Sequence, residues 1–162
     1  MIILSISIVA VGKIREKYIK RGINDFKKRL SRYTSVNIIE VNNAHVPKNP
    51  SGSQIEQVKV KEGKKLINNI PENSYKIALD VKGKPMTSEG LAKSIENLQL
   101  KGNSDISFVI GGPYGLNKEV LNKVDYKLSL SHMTFTHQMI RLILLEQIYR
   151  AFKINRGEPY HN

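Results

Sequence analysis

The sequence contains no cysteine among its 162 residues. This absence excludes disulfide bonds, thiolate metal sites and a cysteine nucleophile, and it suits the cytoplasm, where we expect the protein to be. No apolar run approaches the roughly 20 residues that a membrane-spanning helix requires. Residues 1–9 also lack the basic region and cleavage site of a secretory signal, so we interpret them as part of a buried strand.

Several common catalytic motifs are missing as well. The first predicted strand runs into a single glycine, Gly12, instead of the three glycines of a dinucleotide-binding turn, and neither a Walker sequence nor a Gly-x-Ser-x-Gly turn occurs. The four histidines (His45, His132, His137 and His161) have no metal-ligand spacing on a helix, so no metal site is expected. The remaining possibility is a cofactor that carries an activated group, with the protein positioning two substrates and handling one proton.

Acidic residues are scarce relative to basic ones, 14 against 26, which gives a formal net charge of +12. Such an excess favours a polyanionic partner, with nucleic acid first, although a solubilising surface is the alternative. The cations concentrate on a predicted amphipathic helix from residue 15 to about residue 32, where only Glu16 and Asp25 offset them. They are Lys13, Arg15, Lys17, Lys20, Arg21, Lys27, Lys28, Arg29 and Arg32.

Apolar runs with strand character alternate with segments of helical periodicity along almost the whole chain. The pattern predicts strands at residues 2–11, 36–41, 75–81, 106–110 and 127–130, and helices at 15–32, 53–69, 87–100, 117–122 and 136–155. Ser53 and Glu56 form the predicted capping box of the second helix, and residues 82–85 a turn. We therefore predict one α/β domain over residues 1–162, with a mainly parallel five-stranded sheet and helices on both faces.

Two loops carry the strongest functional signal. The fourth strand ends in Gly-Gly-Pro-Tyr-Gly at residues 111–115, and the fifth ends in Ser-His-Met-Thr-Phe at residues 131–135. Glycine allows backbone groups to approach a ligand, and ligands of α/β sheets bind at the carboxyl ends of strands. A pair of tight turns is the alternative for either loop alone, but both together favour a cofactor pocket.

The last predicted helix is apolar nearly all round, which indicates burial on every side. In so small a protein a second subunit would supply part of the cover, so we predict a homodimer through this helix. Arg141, Glu146 and Arg150 interrupt the apolar pattern, and Glu146 and Arg150 are spaced to pair. Interface salt bridges and contacts from Arg141 or Arg150 to phosphate are equally open interpretations.

Taken together, these segments resemble the SPOUT superfamily of methyltransferases, and within it the small RlmH-type enzymes. The resemblance covers essentially the whole chain and depends on the order and spacing of residues 9–12, 79–85, 110–116, 128–135, 146–151 and 159–161, together with His137 and Arg141. It implies methyl transfer from S-adenosylmethionine to N(3) of a pseudouridine in large-subunit (23S) ribosomal RNA, on assembled ribosomes and by a homodimer. It also implies a C-terminal trefoil knot, no metal, and no membrane.

The resemblance assigns residues to three roles. The cofactor residues would be Leu79, Gly111, Gly112, Leu130, Ser131, His132, Met133, Thr134 and Phe135, largely through backbone groups around the adenine. Tyr160 and His161 are the catalytic candidates, as a base or as donors that stabilise the imide anion, in a tail that would close over the partner subunit's pocket; a disordered terminus is the alternative. Contacts to RNA are expected from Arg15, Lys20, Arg21, Arg141 and Arg150.

Two positions depart from the family pattern. Thr136 stands where the family usually has proline before the last helix, and we expect it to cap that helix instead. Asn162 replaces a basic residue that many members carry, which would remove one phosphate contact. Two other functions remain open at this point: a ribosome-binding or assembly factor without catalysis, and a methyltransferase of the same fold that acts on a ribose 2′-hydroxyl or a tRNA base.

Overall fold

The computed structural model describes residues 3–162, so the predicted first strand residue, Ile2, lies outside the described residues. Strands and helices alternate as predicted. They are β1 (Ser5–Val11), α1 (Lys17–Leu30), β2 (Ser35–Val41), α2 (Gly52–Asn69), β3 (Tyr75–Pro85), α3 (Ser88–Leu100), β4 (Asp105–Ile110), α4 (Lys118–Lys123), β5 (Tyr126–Ser129) and α5 (Met139–Asn155).

The five strands form one sheet in the order β2-β1-β4-β3-β5. Every neighbouring pair is parallel, which confirms the predicted α/β class. The strand β3 lies between β4 and β5, so the loops that leave β4 and β5 lie on either side of the end of β3. This order places three strand ends at one edge of the sheet, where a ligand of such a fold binds. The trefoil knot stays a prediction.

Helices cover both faces of the sheet. Ile6 and Ile8 of β1 face the larger core, to which α1, α3 and α5 contribute, whereas Val9 and Val11 face a smaller core with Leu66 of α2. The alternation follows from the two-residue period of a strand. Because β1 is buried on both faces, it is apolar almost throughout, as the sequence predicts.

Most of the cover of α5 comes from within the same chain. Its buried apolar residues pack in the larger core together with buried residues of α1 and α3. This arrangement weakens the need for a second subunit as cover, and the homodimer stays a prediction.

The helix α5 begins three residues later than predicted, at Met139. The N-cap residue is Gln138 and not Thr136 as predicted, but the Thr136 hydroxyl still accepts a hydrogen bond from the Met139 amide at 3.2 Å.

Two local predictions were wrong. The capping box of α2 is formed by Ser51 and Gln54, not by Ser53 and Glu56, and the helix therefore begins at Gly52. The segment 82–85 continues β3 instead of forming a turn, because the strand is interrupted by an irregularity and then resumes its pairing with β5 at Lys84.

Candidate active site

The carboxyl ends of β3, β4 and β5 border an open cleft of about 1040 Å³. Its volume is at the upper end of the range for small-molecule sites. Eight of the nine predicted cofactor residues line it, namely Leu79, Gly111, Gly112, Leu130, Ser131, Met133, Thr134 and Phe135. The ninth, His132, is exposed and does not contribute to the lining. The family resemblance therefore located most of the residues of these two loops that line the cleft.

The loop after β4 requires glycine at two positions. A Cβ atom at Gly111 would lie 2.8 Å from the carbonyl carbon of Gly115, which is a collision with backbone. Gly115 adopts a φ of +85°, a conformation that side chains disfavour. Its amide donates a hydrogen bond to the Gly112 carbonyl at 3.0 Å and closes a tight turn. The turn brings main chain to the cleft at its three glycines, and Pro113, Tyr114 and Leu116 line the cleft beside them.

The loop after β5 forms the opposite wall. The Ser131 hydroxyl accepts a hydrogen bond from the Met133 amide at 2.9 Å, and the Ser131 carbonyl accepts one from Ser129. This compact turn leaves the side chains of Met133 and Phe135 exposed beside the cleft. Apolar side chains beside exposed main chain suit a flat heteroaromatic ring, whose faces are apolar and whose edge forms hydrogen bonds.

The charged part of the lining was missed from the sequence. It consists of Glu16, Glu56, Lys59, Asp80, Lys82 and Lys118. Asp80 and Lys82 lie in the irregular part of β3, where the Asp80 carboxylate accepts a hydrogen bond from the Lys82 amide at 3.0 Å. The available signal is their position directly after the buried residues of a strand, whereas the sequence pattern places Asp80 in the third strand and Lys82 in the predicted turn 82–85.

The basic helix α1 begins at the rim of the cleft. The Gln138 side-chain oxygen accepts hydrogen bonds from the amides of Arg15 and Glu16, at 2.9 and 3.1 Å. These bonds tie the start of α1 to the start of α5. The predicted RNA contacts Arg15, Lys20 and Arg21 are all exposed. A strongly positive surface therefore adjoins a pocket that is shaped for a small ligand.

Comparison with known proteins identifies the family. A family model described as "Predicted SPOUT methyltransferase" matches residues 4–161. The chain belongs to the SPOUT methyltransferases. It is also similar to a solved structure of a probable methylase family protein from Haemophilus influenzae Rd KW20, with a TM-score of 0.56 at 15% identity, over 97% of this chain and 70% of that one. At that identity, the similarity shows the fold alone.

Relatives with the same printed name match over nearly their whole length. The protein "Ribosomal RNA large subunit methyltransferase H" of Halothermothrix orenii is 67% identical over 158 residues, which is 98% of this chain and 99% of the relative. The proteins of that name from Clostridioides difficile and Acetivibrio thermocellus are 57% and 52% identical over the same shares. The SPOUT resemblance seen in the sequence is thereby confirmed.

In this family member Arg141 is a buried structural residue. It is 0% exposed, and its guanidinium donates hydrogen bonds to Glu40 Oε2 at 2.7 Å and to the carbonyls of Val11 and Gly12 at 2.9 and 2.6 Å. These partners fix the first turn of α5 to the ends of β1 and β2. A phosphate cannot reach a side chain in this position, so the structure contradicts the predicted RNA contact by Arg141.

The predicted pairing of Glu146 with Arg150 is confirmed, with an Nη2–Oε1 distance of 2.6 Å. The tail folds back onto this pair. The Tyr160 hydroxyl donates to Glu146 Oε1 at 3.0 Å, and the His161 ring lies 3.0 Å from Arg150 Nη1 and 2.7 Å from Glu89 Oε1. Burial and the hydrogen bond to Glu146 raise the pKa of Tyr160. Neither tail residue lines the cleft of its own chain.

His137 is the histidine that does line the cleft. Burial, followed by the positive charges of Arg141 and Arg15, lowers its pKa, so the ring is neutral at pH 7.

Among residues 3–162, no group of three histidine, aspartate or glutamate side chains is placed to hold a metal ion. Within the same residues, no helix has both the length and the apolar character to cross a membrane.

Proposed function

We propose that this protein transfers a methyl group from S-adenosylmethionine to N(3) of a pseudouridine in the 23S RNA of the large ribosomal subunit, acting on the assembled ribosome as a homodimer. Family membership and the printed names of the relatives support methylation of large-subunit RNA. A ribosomal substrate would place the protein in the cytoplasm. The position on the pseudouridine and the preference for assembled ribosomes follow from the family resemblance.

The observation that carries the proposal is the junction of the cleft with the basic helix. The loops after β4 and β5 form two walls, and α1 brings exposed cations to the rim beside Glu16 and Tyr18. A small cofactor and a phosphate-rich substrate would thus meet at one place. Binding to RNA through such cations is expected to weaken steeply as salt rises.

The cleft residues fit a nucleoside cofactor. Leu79, Leu130 and Phe135 supply apolar surface for the base, and the Gly111–Gly112 segment brings main chain to the cavity without side chains in the way. When bound, S-adenosylmethionine supplies an already activated methyl group. The residues of this chain would therefore act mainly by orienting the two substrates and by excluding water.

The tail supports a role in the partner's pocket. Ile140 lines the cleft, whereas the tail is bonded to Arg150, ten positions further along α5 and therefore about 15 Å away along the helix axis. Tyr160 and His161 would act on the RNA bound to the second subunit. Exposed apolar side chains around the cleft (Tyr18, Val81, Tyr114 and Met133) supply surface for such a dimer.

The two tail residues suit different parts of the reaction. The imide proton on N(3) must leave before the nitrogen becomes a good nucleophile. The Tyr160 hydroxyl is protonated at pH 7, and burial and Glu146 raise its pKa further, so it suits a hydrogen-bond donor to the developing imide anion. The His161 ring contacts the Glu89 carboxylate through Nε2, which would stabilise the protonated ring, and the proton would be accepted at Nδ1 once that nitrogen leaves Arg150 Nη1. We therefore assign the base to His161.

The decisive experiment uses ribosomes from cells in which the gene for this protein is deleted. Purified protein and methyl-labelled S-adenosylmethionine are added, and the nucleosides of the RNA are analysed by mass spectrometry. We expect one labelled methylpseudouridine in large-subunit RNA, with assembled ribosomes preferred over free RNA. Label on a ribose or on tRNA would refute the proposed substrate. Binding to ribosomes without any methyl transfer would favour an assembly factor.

A truncation after Glu158 tests the tail. The shortened protein should bind S-adenosylmethionine with nearly normal affinity but transfer methyl groups at a strongly reduced rate, by about 100-fold or more if a general base is lost. Unchanged transfer would remove Tyr160 and His161 from the mechanism. Mixing the truncated chain with a full-length chain that carries Gly111→Ala should restore part of the activity if the tail acts across the dimer.

A further inference from the structure

A carboxyl group lies buried beside the loop that follows β4, residues 111–115. Glu62 of α2 is only 3% exposed. Its Oε2 accepts a hydrogen bond from the Ala44 amide at 3.2 Å, whereas Oε1 has no hydrogen-bond partner among the described residues. Burial of a carboxyl group with an unused oxygen is costly, and a group retained in such a position calls for an explanation.

The position of this carboxyl relative to the loop explains why a buried glutamate is present there. A Cβ atom added to Gly112 would lie 3.0 Å from Glu62 Oε1 and 3.3 Å from Oε2. The carboxyl, with Val11 Cγ1 at 3.3 Å beside it, thus occupies the space that a side chain at Gly112 would need. Gly112 lines the cleft and Glu62 does not, so Glu62 contacts the loop from outside the cleft.

The neighbouring residue of α2 supports the other end of the loop. A Cβ atom on Gly63 would lie 2.5 Å from Asn117 Oδ1, so this glycine allows the asparagine to approach α2 closely. The same Asn117 oxygen accepts a hydrogen bond from the Val120 amide at 3.2 Å and caps α4. Glu62 and Gly63 therefore contact the loop region both near its start and where it enters the next helix.

We propose that Glu62 is a positioning residue for cofactor binding. Its carboxyl packs against Gly112 and keeps this part of the loop in the conformation that binds the cofactor. Its hydrogen bond from the Ala44 amide connects the loop to the segment after β2. This inference depends on the proposed function of the cleft. The role requires the shape and an acceptor oxygen of the side chain, not its charge. Lys65, which contributes a favourable charge from the same helix, donates its own hydrogen bond to the Asn42 carbonyl at 3.1 Å.

Cofactor affinity and stability, measured separately, test this role. We expect Glu62→Ala to raise the Kd for S-adenosylmethionine in calorimetry about tenfold or more, because a displaced loop misplaces the ligand. Glu62→Gln keeps the shape and the acceptor, so its Kd should stay within about threefold of wild type. Leu66→Ala, one turn further along α2, is the matched control: it should lower the urea midpoint and leave the Kd unchanged.

A double-mutant cycle isolates the contact between Glu62 and Gly112. Gly112→Ala should weaken cofactor binding in the wild-type background and much less in the Glu62→Ala background, where the obstructing carboxyl is gone. Equal effects in both backgrounds would overturn the proposal. If Glu62→Ala does not fold, Glu62→Met fills the space without an acceptor, and an unchanged Kd in that variant would overturn the proposal equally.

The outcomes separate this inference from the proposed function. If the wild-type protein binds no S-adenosylmethionine, the proposed function fails. If the wild type binds it and Glu62→Ala binds it equally well, only the role of Glu62 fails. A weakening in Leu66→Ala as large as in Glu62→Ala would show that affinity merely follows stability, which also refutes the positioning role.

Discussion

Replacement of Arg141 by leucine should destabilise the protein severely without removing an RNA contact. The guanidinium is completely buried and donates hydrogen bonds to the Glu40 carboxylate and to the carbonyls of Val11 and Gly12. Leucine fills part of the volume but leaves all three acceptors without this donor. The cost is therefore set by polar groups that lose a partner, not by a cavity.

The magnitude follows from the exposure of those acceptors. Removal of one partner of a buried ion pair costs about 3–5 kcal/mol. The Glu40 side chain, however, is 34% exposed and can regain water, whereas the two carbonyls beneath it are left in the interior. We therefore expect a loss near the lower end, about 3 kcal/mol in the free energy of unfolding, and a fall in Tm of about 6–12 °C for a chain of this size.

Urea denaturation followed by circular dichroism measures this loss. Arg29→Leu is the control, because its guanidinium pairs with Asp25 at 2.9 Å where both side chains are about half exposed, and the pair should contribute about 1 kcal/mol or less. Arg141→Lys keeps the charge but cannot reach all three acceptors, and it should fall between wild type and Arg141→Leu. A loss below 1 kcal/mol in Arg141→Leu, or a changed salt dependence of ribosome binding in a folded Arg141→Lys, would refute the reasoning.

Three further outcomes are expected. Gly111→Ala should abolish cofactor binding in calorimetry because its Cβ meets backbone at 2.8 Å, whereas Gly52→Ala, with open space around it, should bind normally. Ser51→Ala should lower the free energy of unfolding in urea by about 1 kcal/mol, and Ser53→Ala should not, because Ser51 caps α2. The ring of His137 should titrate in NMR below its usual pKa of 6.5. Because the unfolded chain then takes up the proton first, stability should fall as the pH drops below 6.5, and His137→Gln should reduce that fall.

The regular elements were predictable because each is specified locally. The strand β1 is apolar on both faces, and α1 has a clear helical period, so neither depends on distant contacts for its type. The start of α2 was not predictable in this way. Ser51 with Gln54 and Ser53 with Glu56 both have the spacing of a capping box. The local pattern does not say at which serine the helix begins.

The fate of individual charges was the harder part of the site. The composition shows an excess of cations, but it does not distinguish Arg141, which is buried, from Arg21, which is exposed. One signal was available: an arginine within an almost wholly apolar helix needs a buried acceptor, and Glu40 stands near the end of a predicted strand. Asp80 and Lys82 were missed because the irregularity in β3 is stabilised by pairing with β5, which is distant in sequence.

Two buried residues with ionisable side chains, one on each face of the sheet, stabilise segments that border the cleft. On one face, Arg141 fixes the start of α5 through Glu40, whose Oε2 also accepts a hydrogen bond from the Ile14 amide at 3.0 Å. On the other face, Glu62 of α2 contacts the Gly112 segment. Arg141 connects elements of the core, so its loss should appear first as instability. Glu62 contacts a loop that the core does not enclose, so its loss should appear first as weaker cofactor binding.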